Sequence, residues 1–148
     1  MQILKILRIQ KEYRSASRKI KALLSDDKFK RISGNLELEL VNLYRAEGED
    51  DEIENRLESI VNDYQRTEDS AEAYYQLGEI YSSEKWDLEK AKEYYGNVSK
   101  ESNKSLFSSS AKSRVLAITT YQNTLKEIET INLMDSDNKE ADSTLNIS

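Results

Sequence analysis

The sequence has no cysteine, no histidine and no proline, and only four of its 148 residues are glycine. The lack of cysteine excludes disulfides and a thiolate nucleophile or metal ligand from these residues. The lack of histidine removes the commonest general base and the commonest transition-metal ligand. Because proline and glycine mark most turns, their scarcity argues against a many-turned β-sandwich or barrel.

Long apolar runs are missing as well. The sequence has no run of about 18 apolar residues, the length that a membrane-spanning helix needs. Charged residues interrupt the apolar N-terminal segment MQILKILRIQKEYR, and no small-residue cleavage site follows it, so it does not fit a secretory signal. We therefore expect no membrane span, and either a cytoplasmic protein or part of a longer chain that holds its targeting signal elsewhere.

Motifs for catalysis and for cofactor binding are also lacking. The acidic run at residues 49–52 has neither the spacing nor the glycine of an EF-hand loop. The serine run at residues 108–110 has no histidine to activate it, and the sequence has no glycine-rich phosphate loop. We therefore expect no enzyme activity, no bound metal and no cofactor.

The composition favours an elongated helical protein. Hydrophobic residues make up 37% of the chain and charged residues 34%, which suits a thin stack of helices better than a deep globular core. Charge is unevenly distributed: residues 1–31 have ten basic and three acidic side chains, residues 32–98 six and eighteen, and residues 99–148 six and seven. These runs are either solvated helix faces, or the basic N-terminal helix docks on an acidic surface such as a neighbouring copy. A pI near 4.9 argues against nucleic acid as the partner.

Apolar residues at three- and four-residue steps predict six helices in antiparallel pairs. The predicted helices cover residues 3–24, about 36–48, 53–64, 70–83, 88–100 and 111–133. Residues 28–33 fit either the beginning of the second helix or a connecting turn. The segment after residue 133 is polar and acidic, so we expect a folded domain over residues 1–133 and a disordered tail over residues 134–148.

One segment suggests how the helices pair. Residues 71–95 follow the order Ala-x-Ala-x-Tyr-x-Leu-Gly-x-x-Tyr, a short loop, then Ala91 and Tyr95. This order is typical of a tetratricopeptide repeat, a helix–turn–helix unit of about 34 residues. Tyr44, Tyr81 and Tyr121 each close a predicted first helix and lie 37 and 40 residues apart. Small residues let paired helices approach closely, so we expect Gly78 to face Ala91 at the crossing.

Residues 60–98 resemble the tetratricopeptide repeats of bacterial envelope proteins, such as the Tol–Pal trans-envelope component and the lipoproteins of the outer-membrane assembly machinery. The sequence departs from that family at Gln65, where proline is usual, and at Val41 and Ile118, which replace the glycine. The resemblance implies an all-α fold, an α-α superhelix of about three antiparallel helix pairs. It also implies a scaffold that binds a peptide or a partner protein in its concave groove, in the periplasm or cell envelope if the chain is part of a longer one. The alternative is a structural domain that assembles with copies of itself.

The resemblance also implies which residues line the groove, because in this family ligands lie along the first helices of the repeats. The corresponding positions are Asn35, Leu38, Glu39, Asn42 and Arg45 in one unit and Glu72, Tyr75, Gln76, Glu79 and Ser82 in the next. Tyr75 is either an exposed anchor for the partner or a ring that packs sideways on a neighbouring helix. Trp86 either caps the joint between two helices or forms a binding hot spot.

Overall fold

The computed structural model describes residues 2–9 and 12–145, and within these ranges it is all-helical, without a strand. This confirms the predicted all-α class. The α-helices are α1 (Gln2–Ile9), α2 (Tyr13–Leu24), α3 (Ser33–Glu47), α4 (Asp50–Asp63), α5 (Glu68–Glu79), α6 (Leu88–Glu101) and α7 (Ser108–Leu145). A 3-10 helix, Asp27–Ile32, joins α2 to α3, and a π-helical turn, Ile80–Glu84, extends α5.

Each helix packs mainly against its neighbours in sequence, and α3 also contacts α5. The buried core is therefore narrow and continuous from α1 to α7. Its most completely buried large side chains are Ile20, Leu36, Leu40, Leu57, Ile60, Leu77, Tyr95 and Val98. Thin cores of this kind are expected when helical hairpins stack along one direction.

The burial pattern of α3 and α4 recurs in α5 and α6. Positions 37 residues apart are buried in both units: Leu36 and Ala73, Leu40 and Leu77, Val41 and Gly78, Leu43 and Ile80, Tyr44 and Tyr81. At a spacing of 38 the second helices correspond in the same way: Ile53 and Ala91, Leu57 and Tyr95, Ile60 and Val98. The expected third equivalent differs, because Tyr121 is 44% exposed on α7.

Local signals set several of the helix ends. Gly48 ends α3 with φ of 79°, the left-handed conformation that favours glycine at a C-cap. Thr67 caps α5 by accepting a hydrogen bond from the Ser70 amide at 3.1 Å, so α5 begins two residues before the predicted start. Asp87 caps α6 in the same way by accepting from the Lys90 amide at 3.1 Å.

The prediction of a single helix over residues 3–24 is wrong, because this range contains two helices, α1 and α2. Glu12, which precedes α2, has φ of −88° and ψ of 48°, outside the helical region. Leu4 of α1 belongs to the core, where it is 6% exposed. Residues 28–33, whose structure the sequence left open, lie mostly in the 3-10 helix, and α3 begins at Ser33.

The C-terminal helix differs from the expected disordered tail. α7 continues to Leu145, and every side chain from residue 123 to 145 is exposed. The sequence has no glycine or proline after Gly96, so nothing local stops the helix. The division into a domain over residues 1–133 and a separate tail stays a prediction.

The atoms nearest to Gly78 where α5 crosses α6 belong to Tyr95, and Ala91, which the sequence predicted opposite Gly78, is also buried on α6. A Cβ atom placed on Gly78 would lie 2.6 Å from two ring carbons of Tyr95, far inside van der Waals contact. Tyr95 is 1% exposed, so its ring has little room to move. Gly78 therefore makes space for an aromatic ring from the facing helix.

Candidate functional site

Three of the predicted groove positions form one chain of hydrogen bonds between α3 and α5. Arg45 donates from Nη2 to Oε1 of Gln76 at 2.9 Å, and Gln76 donates from Nε2 to Oε1 of Glu72 at 3.1 Å. Arg45 and Gln76 are 31 residues apart in sequence, so their contact shows that the two first helices lie side by side. The predicted positions on α3 and α5 thus share a surface.

The close approach of α3 and α5 begins at their N-terminal ends. Gly34 is buried near the start of α3, and a Cβ atom there would collide with the side chain of Asp69 in the first turn of α5. Burial raises the pKa of Asp69, and the neighbouring Glu68 carboxylate adds to the rise. Glycine at position 34 therefore lets this carboxylate lie directly against the backbone of α3.

The same surface continues from α5 to α7. Arg114 on α7 approaches Oε1 of Glu79 at 3.2 Å, and the Tyr95 hydroxyl donates to the same oxygen at 2.7 Å. A hydrogen bond to Tyr75 and the charge of Glu79 raise the pKa of Arg114. Arg114 was not among the predicted groove positions, which were confined to α3 and α5. The spacing of 37 residues between these two helices leads from Gln76 to Ser113, next to Arg114.

Tyr75 packs sideways, which is the second of the two expectations for this residue. Its ring centroid lies 5.5 Å from that of Tyr95 and 5.2 Å from that of Phe107, and the side chain is half-buried. Phe107 follows α6 in the turn before α7, and the sequence analysis did not assign it a role. Tyr75 thus joins α5 to α6 and to the turn before α7 while part of its surface stays accessible.

The remaining predicted positions divide between surface and core. Asn35 and Arg45 are exposed, whereas Glu39 and Asn42 are half-buried. The Ser82 hydroxyl lies 3.2 Å from both the Glu79 carbonyl oxygen and the Tyr95 hydroxyl. Leu38 differs from the prediction, because it is 3% exposed and belongs to the core. Leu38 is thus unavailable as a lining residue.

The α5 end of this surface is electronegative. Burial raises the pKa of Glu72, and the carboxylates of Asp69, Glu68 and Glu39 raise it further, while the hydrogen bond from Gln76 acts in the opposite direction. A carboxylate in this setting gains from any cation that approaches it. The local chemistry therefore favours a partner that presents a basic side chain near Glu72.

A second polar cluster, which the sequence did not predict, surrounds Tyr81. Its hydroxyl donates to Glu54 of α4, Lys85 pairs with Glu54, and Lys90 donates to the Tyr81 hydroxyl at 2.7 Å. Burial opposes ionisation of Glu54, but the hydrogen bonds from Lys85 and Tyr81 outweigh it and lower the pKa of Glu54. The hydrogen bond to Tyr81 raises the pKa of Lys90, so the ammonium persists at neutral pH and is unsuited to act as a base.

The basic N-terminal region faces acidic residues of its own chain across a cleft of about 740 Å³. The lining residues are Arg14, Ser17, Arg18, Lys21, Tyr44, Glu47, Glu49, Glu52 and Arg56. The Arg56 guanidinium lies 5.4 Å from the ring centroid of Tyr44 and pairs with Glu37 at 2.7 Å. Part of the charge asymmetry of the sequence is therefore balanced within the molecule.

Trp86 lies in the turn before α6 and contacts α7. It has φ of 55° and is 64% exposed, and its ring meets Tyr121 edge-on at 6.1 Å. This contact agrees with the expected role of a cap between two helices. The exposed face of the indole is still accessible to a partner.

Over residues 2–9 and 12–145, no group of three or more Asp, Glu, His or Cys residues has the arrangement to hold a metal ion. In the same described ranges, no helix combines the length and the apolar character that crossing a membrane requires.

Comparison with known proteins leaves the family open. No protein-family model matches the chain, and no curated protein matches it significantly.

Proposed function

We propose that the chain is a protein-interaction scaffold of the tetratricopeptide-repeat type, which binds a peptide or a partner protein on the surface shared by α3, α5 and α7. One observation supports this most directly: Arg45–Gln76 and Glu79–Arg114 join the faces of these three alternate helices. The recurrence of buried positions between residues 36–60 and 73–98 supports the repeat itself. The resemblance of residues 60–98 extends the proposal to a role in the bacterial envelope.

The chemistry of the surface indicates what it binds. Glu72 and Asp69 form an acidic end, Arg114 lies toward the other end, and the half-exposed Tyr75 lies between them. Such a surface suits an extended segment with a basic side chain near Glu72 and an apolar side chain on Tyr75. Aromatic and arginine side chains are the commonest sources of binding energy at protein interfaces.

A displayed library of random peptides, selected on the wild-type protein, tests this proposal. We expect the selected peptides to lose about tenfold or more in affinity when Arg45→Glu or Arg114→Glu is introduced, because each substitution removes an arginine of the surface and breaks its contact with Gln76 or Glu79. Both side chains are exposed, so the fold should tolerate the changes. Arg31→Glu is the matched control, since Arg31 is exposed in the 3-10 helix and is not one of the proposed surface residues on α3, α5 and α7.

The control variant should bind the same peptides with unchanged affinity. Peptides that bind all three variants as well as the wild type would show that the partner uses a different surface. Failure to enrich any peptide would argue against the scaffold proposal as a whole.

A further inference from the structure

The C-terminal part of α7 extends beyond the rest of the molecule. Gln122 donates from Nε2 to Oε1 of Glu89 at 2.9 Å, near the start of α6, so α7 leaves α6 at this point. Residues 123–145, here called the overhang, have only exposed side chains. At 1.5 Å per residue the overhang is roughly 34 Å long.

An apolar stripe that suits a second helix begins just before the overhang and continues into it. Tyr121, Leu125 and Ile128 follow i, i+4, i+7 spacing and are 44%, 42% and 48% exposed, and Ile131 continues the series at 58%. This spacing places the side chains on one face, as at the seam of paired helices. Because a helix of this length is marginal in water without packing, a partner on the stripe would stabilise it.

The charge of the overhang indicates which kind of helix it can bind. Residues 126–145 contain two lysines and six aspartates or glutamates. Only Lys126, Glu127 and Glu129 lie beside the stripe, so most of the negative charge lies in the part of the overhang that follows it. A second overhang is therefore a poor partner, because like charges would face each other. A basic helix with its own apolar face is a good one.

The opposite end of the same chain supplies such a helix. Residues 1–11 contain three basic residues and no acidic one. On α1, Ile3 and Ile6 are 64% and 52% exposed, although Leu4 beside them is buried in the core. α1 thus presents apolar side chains outward in a basic segment.

We propose that the overhang of one molecule binds α1 of a second copy, so that molecules associate head to tail. The interface is heterologous, and repetition would give open chains of molecules. Only a few apolar side chains meet in this interface, so the association is weak and depends on protein concentration and on salt. This proposal does not rest on the proposed peptide-binding surface, which uses other residues.

Sedimentation velocity over about a hundredfold range of concentration tests the proposal. We expect the wild-type protein to shift from a 17.1 kDa monomer to larger species as its concentration rises, and the shift to weaken at about 0.5 M salt. Ile6→Glu and Leu125→Glu should each abolish the shift. Leu106→Glu is the matched control, because Leu106 is 88% exposed in the turn before α7 and belongs to neither surface.

Mixing the two variants gives the decisive result. Ile6→Glu keeps a normal overhang, and Leu125→Glu keeps a normal α1, so an equimolar mixture should form a one-to-one dimer and nothing larger. Association of Ile6→Glu alone would overturn the proposal, because it would mean that overhangs pair with each other. A wild type that stays monomeric at every concentration would overturn the proposal as well. The proposal would still be overturned if such a monomer bound anionic phosphatidylserine vesicles through α1.

Discussion

Gly78 sets how closely α5 and α6 approach each other. We predict that Gly78→Ala destabilises the protein, because the added methyl group would overlap the buried Tyr95 ring, and overpacking of this kind typically costs about 1–3 kcal/mol. Gly96→Ala is the matched control, since Gly96 lies within α6 and has nothing within 4 Å of the added atom. The comparison is made by urea unfolding.

The control makes the result specific to the contact. Alanine favours a helix over glycine by roughly 1 kcal/mol, and this gain is common to both substitutions. Gly96→Ala should therefore raise the free energy of unfolding. The free energy of unfolding of Gly78→Ala should be lower than that of Gly96→Ala by the overpacking cost. Equal stabilisation by the two variants would contradict the crossing of Gly78 and Tyr95.

The raised pKa of Glu72 predicts a pH-dependent stability effect. Because burial raises its pKa in the folded state above the ordinary 4.5, ionisation of Glu72 works against folding as the pH rises through the folded-state pKa. Glu72→Gln keeps an acceptor for Gln76 and removes the charge, so it should raise Tm at pH 7. The gain should vanish below about pH 4.5, where the carboxyl group is protonated in both states.

Glu127→Gln, on the exposed overhang, controls for the loss of one negative charge. Thermal unfolding followed by circular dichroism at pH 4 and pH 7 measures both variants. A Tm for Glu72→Gln that lies below the wild type at pH 7 would contradict the electronegative environment described for this residue.

Individual groove positions were only partly predictable from the sequence. Leu38 and Tyr75 occupy equivalent positions, yet Leu38 is buried in the core and Tyr75 stays half-exposed against Tyr95 and Phe107. A repeat spacing places a residue on the correct side of a helix. It does not reveal what the next helix places beside that residue, which is why Arg114 and Phe107 were missed.

At the scale of single helices, the Thr67 cap holds the start of α5. Its hydroxyl donates to the Tyr64 carbonyl at 2.6 Å and accepts from the Ser70 amide at 3.1 Å, so it fixes the turn between α4 and α5. We predict that Thr67→Ala lowers the free energy of unfolding by about 1 kcal/mol, the usual cost of losing an N-cap. Chemical denaturation measures this change.

Thr130→Ala is the control for Thr67→Ala. The Thr130 hydroxyl donates to the Lys126 carbonyl at 2.8 Å within the exposed overhang, so it caps nothing. Its replacement should leave stability unchanged or slightly higher, since alanine is the better helix former. If both variants lost the same stability, the Thr67 cap would have no special role.

Helix boundaries were predictable wherever the signal is local. Gly48 and Asp87 mark the end of α3 and the beginning of α6, close to the predicted bounds at residues 48 and 88. The break between α1 and α2 was missed because no glycine or proline precedes Gly34, so no local signal marks the break. The extension of α7 was missed for the opposite reason: its residues 123–145 form a helix without contributing to the core.

At the scale of the whole molecule, side-chain contacts join α3 to α5 and α5 to α7, as the proposed repeat scaffold requires. The sequence predicted the helical class and the correspondence between the two central units. It also predicted Tyr121 as the third equivalent of Tyr44 and Tyr81, but Tyr121 is exposed beside Trp86, whereas Tyr44 and Tyr81 are buried. No other helix of the described residues covers residues 123–145, so the overhang can contact a second molecule.

The most direct test of the scaffold is an NMR titration of the ¹⁵N-labelled protein with a peptide selected from the displayed library. We expect amide shift changes on the outward positions of α3 and α5, from Asn35 to Arg45 and from Glu72 to Ser82, and on the residues around Arg114. Amides at exposed positions of α4 should stay unchanged. Shift changes centred on α4, with α3 and α5 unaffected, would contradict a binding surface built from alternate helices.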